Sequence, residues 1–187
     1  MKLRMKRFLI FLAVGVALIA VLLLVQQIQR KKTKSLSPEE EVTYSERDLK
    51  IKVLYNRPSK RGRKIFGELV PYGKVWRTGA NEATTFETNK SITVEGKTLA
   101  PGKYTVWTIP DSTVWTVIFN SQYGQWGINH KGEADRNPSL DVLNIPVHAV
   151  VQDRTFEQFT IAFEKIGDQA EMVLLWDNTV VAVPFSH

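Results

Sequence analysis

Residues 104–120 read YTVWTIPDSTVWTVIFN. Tyr104, Val106 and Thr108 alternate with Thr105, Trp107 and Ile109, and the same kind of pattern resumes after Pro110-Asp111-Ser112 as WTVIFN. Both halves are rich in β-branched and aromatic side chains, which suit a pleated surface, and Pro-Asp-Ser is turn chemistry. The stretch predicts two strands joined by a short turn. The signature recurs on both sides. KIKVLY sets Ile51, Val53 and Tyr55 against Lys50 and Lys52, SITVE puts Ile92 and Val94 on one face, and FTIAF aligns Phe159, Ile161 and Phe163. MVLLW and VVAVPF close the chain, and GKTLAPGKY turns at Glu95-Gly96 and again at Pro101-Gly102. Many short strands with no helical pattern between them predict an all-β domain, a single antiparallel β-sandwich or partly closed barrel.

Composition sets the outer bounds. The chain has 187 residues, 43% hydrophobic and 24% charged, values of an ordinary folded protein. It has no cysteine, so disulfides, thiolate metal sites and cysteine nucleophiles are all excluded. The net charge is +6, but residues 1–34 hold eight basic side chains and no acid, leaving 17 basic against 19 acidic residues in 35–187, a net of −2. The basic character belongs to the N-terminal segment, which removes the main argument for nucleic acid as a partner.

Phe8 to Val25 is eighteen apolar residues without a charge. At about 1.5 Å per residue this covers roughly 27 Å, close to the roughly 30 Å hydrocarbon core of a bilayer. A cleavable signal needs small residues after its apolar region, whereas LLLVQQIQRKK (22–32) places bulky and basic ones there. The expectation is an uncleaved membrane anchor over residues 1–28, a polar tether over 29–41 and a β-rich domain over 42–187. Four basic residues flank each end of the apolar run, and the terminal amine tips the balance toward a cytoplasmic N-terminus, with the domain outside.

The densest chemistry lies between Asn56 and Thr85. From Arg57 to Arg77 there are seven basic residues and one acid, Glu68. The planar fork of arginine suits carboxylate or phosphate, so Arg57, Arg63 and Lys64 point to an anionic partner: a lipid headgroup, a glycan acid or an acidic envelope protein. The alternative is a solvated loop whose charges pair with acids elsewhere. In VWRTGANEATT (75–85) Trp76 offers a stacking platform, and Arg77, Asn81 and Glu82 hydrogen-bonding groups, gathered around Gly79. The structural alternative makes Trp76 core and Arg77 with Glu82 an internal ion pair. Trp126, in the loop 121–139, is the remaining tryptophan best placed to bind.

Catalytic signals are weak. There is no Gly-x-Ser-x-Gly, no His-Glu-x-x-His and no phosphate loop, and the three histidines have no metal spacing. No cofactor and no metal are expected. Glu82 as a general acid or base would need a second group that the sequence does not name.

Arg57-Pro58, GRKIFG (62–67), LVPYG (69–73) and VWRTGANEAT (75–84), continued in GKTLAPGKYTVWTIP, WTVIFN, the QWG loop and Val183-Pro184-Phe185, resemble the DUF2911 family, a bacterial family of unknown function. The likeness covers roughly residues 45–187. It implies export and one compact β-rich domain, and it brings no established activity, cofactor or catalytic residue. Family members often carry a cleavable or lipoprotein-type signal; this chain lacks the cysteine that lipid attachment requires, which points to a retained helix. The expected role is a membrane-anchored, extracytoplasmic binding module for an anionic or glycan ligand, with an envelope structural or assembly protein as the first alternative and a hydrolase using Glu82 as the second.

Overall fold

A computed structural model describes residues 2–167 and 169–187. Met1, the first residue of the expected anchor, and Asp168 lie outside the described residues. The chain divides into two compact units, residues 1–36 and 37–187.

The first unit is one helix, α1 (Lys2–Leu36). Its segment Leu9–Leu36 is long and apolar enough to cross a membrane, and nothing in that segment is buried within the protein. Residues 29–41, expected as a polar tether, are helical to Leu36 and enter a strand at Glu39. Gln, Arg and Lys are good helix formers, Lys34 sits favourably in the last turn, and the helix stops just before Pro38.

The second unit is built from strands β1 (Glu39–Glu46), β2 (Leu49–Asn56), β3 (Thr85–Thr88), β4 (Ile92–Val94), β5 (Lys97–Leu99), β6 (Gly102–Ile109), β7 (Val114–Asn120), β8 (Asp141–Ile166) and β9 (Gln169–Ser186). Among the described residues they form one antiparallel sheet in the order β1-β2-β3-β6-β7-β8-β9-β4-β5. The 104–120 stretch is the β6–β7 hairpin, with Thr105 opposite Asn120 and Ile109 opposite Thr116. The domain is mostly antiparallel β-sheet, as expected, and because the sheet is not closed a sandwich or open sheet describes it. Both edges carry features that oppose further pairing: β1 begins with three glutamates and β5 has three residues.

β8 joins the two halves. Its first part pairs with β7 as far as Val114–His148, and its second part pairs with β9 from Ala149–Val181 to Ile166–Gln169. Between them the register shifts twice, after Val151 and after Phe156. The change of partner brings β2 against the second part of β8. The Tyr55 hydroxyl accepts from Ile161 N–H at 2.9 Å, and the Tyr55 ring meets Phe159 edge-on at 5.7 Å. Tyr44 of β1 meets Phe185 of β9 edge-on at 5.3 Å. One hydrophobic core therefore lies between the two halves, drawing Leu49, Ile51 and Val53 from β2 and Met172, Leu174 and Val183 from β9. A small second cluster, Ala83, Trp107 and Ile118 with Val75, Ile109 and Ala134 packed on it, sits apart from the main core.

Candidate functional site

Trp76 belongs to the core. Its ring stacks on Trp176 at 5.8 Å and 20°, and meets Phe66, Trp115 and Phe159 at steeper angles. Its Nε1–H donates to Gly79 O at 3.0 Å, and its backbone exchanges hydrogen bonds with Thr108. A tryptophan so surrounded fills volume, and the stacking-platform expectation is corrected accordingly.

The basic stretch is dispersed into internal contacts. Arg57 is ion-paired with Glu40, and donates from Nε to Phe159 O at 3.2 Å and from Nη2 to Thr160 Oγ1 at 2.8 Å. Lys60 is ion-paired with Asp177. Arg63 is exposed, but its guanidinium donates to the carbonyls of Lys60 (2.9 Å) and Ser59 (2.6 Å) and so closes its own turn. Lys64 pairs with Glu68 at 3.3 Å on the surface. Arg57, Lys60 and Lys64 thus have carboxylate partners within the domain, while Arg63 and Lys64 remain exposed.

Arg77, Asn81, Glu82 and Trp126 are brought together where the loop 77–84 meets the loop 121–137. Ala83 N–H donates to Gln125 O at 3.4 Å and Gly127 N–H to Asn81 O at 2.9 Å, while Glu82 and Trp126 form an isolated antiparallel bridge. Behind this seam runs a polar relay. Asn56 Nδ2 donates to Glu82 Oε2 at 3.3 Å, and Asn81 Nδ2 donates to Asn56 Oδ1 at 3.3 Å and to Ser37 O at 3.4 Å.

The loop holds an unusual backbone. Thr78 and Asn81 both have positive φ, 53° and 57°. Asn tolerates this region, but a β-branched residue there is strained by about 1–3 kcal/mol. Thr84 Oγ1–H donating to Thr78 O at 2.6 Å and a Thr78–Thr108 hydroxyl contact at 3.2 Å hold it in place. Gly79 lies against Asn56, where a Cβ would stand 3.0 Å from the Asn56 carbonyl oxygen.

Arg77 is the centre of this arrangement. Its stem lies on Gly127: a Cβ at position 127 would fall 2.0 Å from Arg77 Cδ. Its Nε is buried without a hydrogen-bond partner, and among the described residues no acid pairs with it, so the expected Arg77–Glu82 ion pair is replaced by the Asn56–Glu82 contact. Burial pushes its pKa below the ordinary arginine value, and arginine still carries its charge at neutral pH. Among the described residues two other buried side-chain atoms lack partners, Gln125 Oε1 and Arg136 Nε, and both lie in the loop 121–137. Buried polar atoms are ordinarily satisfied, so this concentration in one pair of loops is informative. Gln125, Gly127 and Asn56 escaped the sequence reading. The QWG triplet was the visible signal, and only the tryptophan in it drew notice.

A family model described as "Protein of unknown function (DUF2911)" matches residues 37–185. The chain belongs to the DUF2911 family. The match begins where the strand-built unit begins, so the DUF2911 domain and the second compact unit coincide. No curated protein and no solved structure matches the chain. Within the described residues no group of three or more His, Asp or Glu side chains is arranged to hold a metal ion.

Proposed function

We propose that this protein is a membrane-anchored member of DUF2911 whose domain lies outside the cytoplasm and binds a carboxylate-bearing glycan at the seam between loops 77–84 and 121–137. One observation carries the reading: a half-buried, charged arginine whose Nε–H is buried without a partner and which, among the described residues, has no acid on it. A desolvated arginine gains most from an anionic acceptor, and its planar fork fits a carboxylate. Gln125 Oε1, a buried acceptor on the facing loop, suits a hydroxyl donor, which a sugar acid supplies and a simple fatty or mineral anion does not. The helix Leu9–Leu36 supports the anchor, and the export implied for the family supports the side.

The test uses full-length protein in nanodiscs of neutral lipid, with digalacturonate as probe. Arg77→Met should weaken binding at least about tenfold, roughly 1.4 kcal/mol, while Arg63→Ser with Lys64→Ser leaves it unchanged. Equal affinity in the Arg77 variant would end the reading. Binding only to phosphatidylglycerol vesicles would move it to a lipid headgroup. Protease shaving of intact cells that leaves residues 42–187 shielded would place the domain on the other side. The envelope-protein alternative has its own observation: Val150 and Val151 of β8 are exposed, shortly beyond His148, which pairs with the exposed Val114 of β7. Photocrosslinking from position 150 in cells that captures a defined envelope protein would favour it.

A further inference from the structure

A cleft of about 650 Å³ opens on the domain between three segments: the loop 58–73, the β6–β7 turn, and the place where β8 and β9 lose register. It shares no residue with the Arg77 seam. Its volume falls in the roughly 300–1,000 Å³ range of small-ligand sites.

The cleft is built from main-chain ties rather than from mobile side chains. Lys60 N–H donates to Glu157 O at 2.6 Å and Phe159 N–H to Pro58 O at 2.9 Å, fixing the loop 58–73 along β8. Gly73 N–H donates to Pro110 O at 2.9 Å and fixes the same loop to the β6–β7 turn. Trp115 Nε1–H donates to Asp111 O at 3.0 Å from below that turn. On the third side, four residues of β8, 152–155, stand opposite the single residue Asn178, and Asp177 takes a left-handed φ of 54°. A bulge of this kind re-aims side chains and recurs beside functional sites. Gly67, at φ 87°, lets the Tyr72 ring lie 3.0 Å from where its Cβ would be, which sets the half-exposed Tyr72 at the wall.

The lining chemistry is specific. Phe66 and Trp115, buried members of the core, close the floor, and the half-exposed Tyr72 ring stands at the wall. Around them stand Ser112, Gln152, Asp153 and Asn178, short or planar groups that offer both donors and acceptors. Lys60 and Asp177, a half-buried ion pair in the lining, neutralise each other. Asp111 and Asp153 give the cleft three acids against two lysines, a balance that disfavours an anion. Hydroxyl-binding groups beside the exposed Tyr72 ring match an uncharged sugar ring, which has an apolar face and an equatorial rim of hydroxyls.

We propose that this cleft is a binding site for a neutral oligosaccharide, separate from the acid-binding seam and independent of it. The probes are maltotriose, cellotriose and chitotriose, titrated against full-length protein in nanodiscs by calorimetry and tryptophan fluorescence. At least one should bind saturably at millimolar concentration or below. Gln152→Ala with Asp153→Ala, both on the exposed bulge, should weaken that binding by about tenfold or more without changing the far-ultraviolet dichroism. Asn178→Ala is the second variant, from the opposite strand, and should weaken it in the same direction. Arg77→Met should leave it intact, which separates this site from the seam. The proposal is overturned if none of the three sugars binds, if both variants bind as the unaltered protein does, or if digalacturonate displaces the neutral sugar and Arg77→Met abolishes both.

Discussion

Arg57 and Arg77 stand at the two ends of the same basic stretch and both are drawn partly out of water, yet the fold treats them oppositely. Arg57 meets a carboxylate, a carbonyl and a hydroxyl, one for each nitrogen. Arg77 is half-buried with its Nε covered and unpartnered, over a glycine that leaves room for its stem. A guanidinium that is fully engaged ties strands together, here β1, β2 and β8. One that is desolvated without acceptors costs stability and keeps its binding capacity for something else. Equal sequence character, a basic residue in a Gly- and Pro-rich segment, thus conceals opposite roles.

That contrast breaks first at the core between the two arginines. Trp76→Ala should cost about 3–5 kcal/mol, because the aromatic cluster around it cannot collapse to fill the volume, and denaturant titration measures this directly. Arg57→Ala should cost about 2 kcal/mol in the same assay, since Glu40 keeps enough exposure for water to compensate it partly while Phe159 O and Thr160 lose a donor. Arg77→Met should stay within about 0.5 kcal/mol of the unaltered protein or exceed it in stability, because it removes an unsatisfied buried donor and keeps the stem on Gly127. An Arg77 variant as unstable as the Arg57 variant would erase the distinction.

The smallest effect lies at the far edge of the domain. The Lys165 ammonium and the Tyr44 hydroxyl, both bonded to Glu46, hold its carboxyl at about 2, below the ordinary 4.5. Burial, with Glu46 as acceptor, pushes Tyr44 from 10.0 to about 12. Glu46 binds fewer protons folded than unfolded, so its contribution is present above about pH 4.5 and is lost as pH falls toward 2. Tyr44 holds its proton more tightly when folded, so its contribution is present below about pH 10 and is lost as pH rises toward 12. Denaturation midpoints of Tyr44→Phe should be flatter than those of the unaltered protein in both windows.

Much of the fold was legible because strand patterning is local. The alternation in 104–120 needs no partner to be read, and it became the β6–β7 hairpin with the expected turn. The eighteen-residue apolar run announced a helix in the same way. Composition leaves the segment 29–41 open, because polar residues look alike in a tether, a helix end and a charged edge strand. Lys- and Arg-rich residues continued α1 on intrinsic propensity, and the glutamates joined β1 through main-chain pairing with β2, to which composition is blind.

The site divides along the same line. Sequence alone determined that Arg77, Asn81, Glu82 and Gly79 would be close, since they are neighbours in the chain and glycine permits the bend. Only the tertiary structure decided that Arg57 would be satisfied by Phe159 and Thr160, that Lys60 would find Asp177, and that Gly127 and Gln125 would face Arg77. Each of those pairings joins residues far apart in sequence. Charge neutralisation and desolvation depend on which distant groups arrive, and the folding of β8 from one half of the sheet to the other sets that arrival.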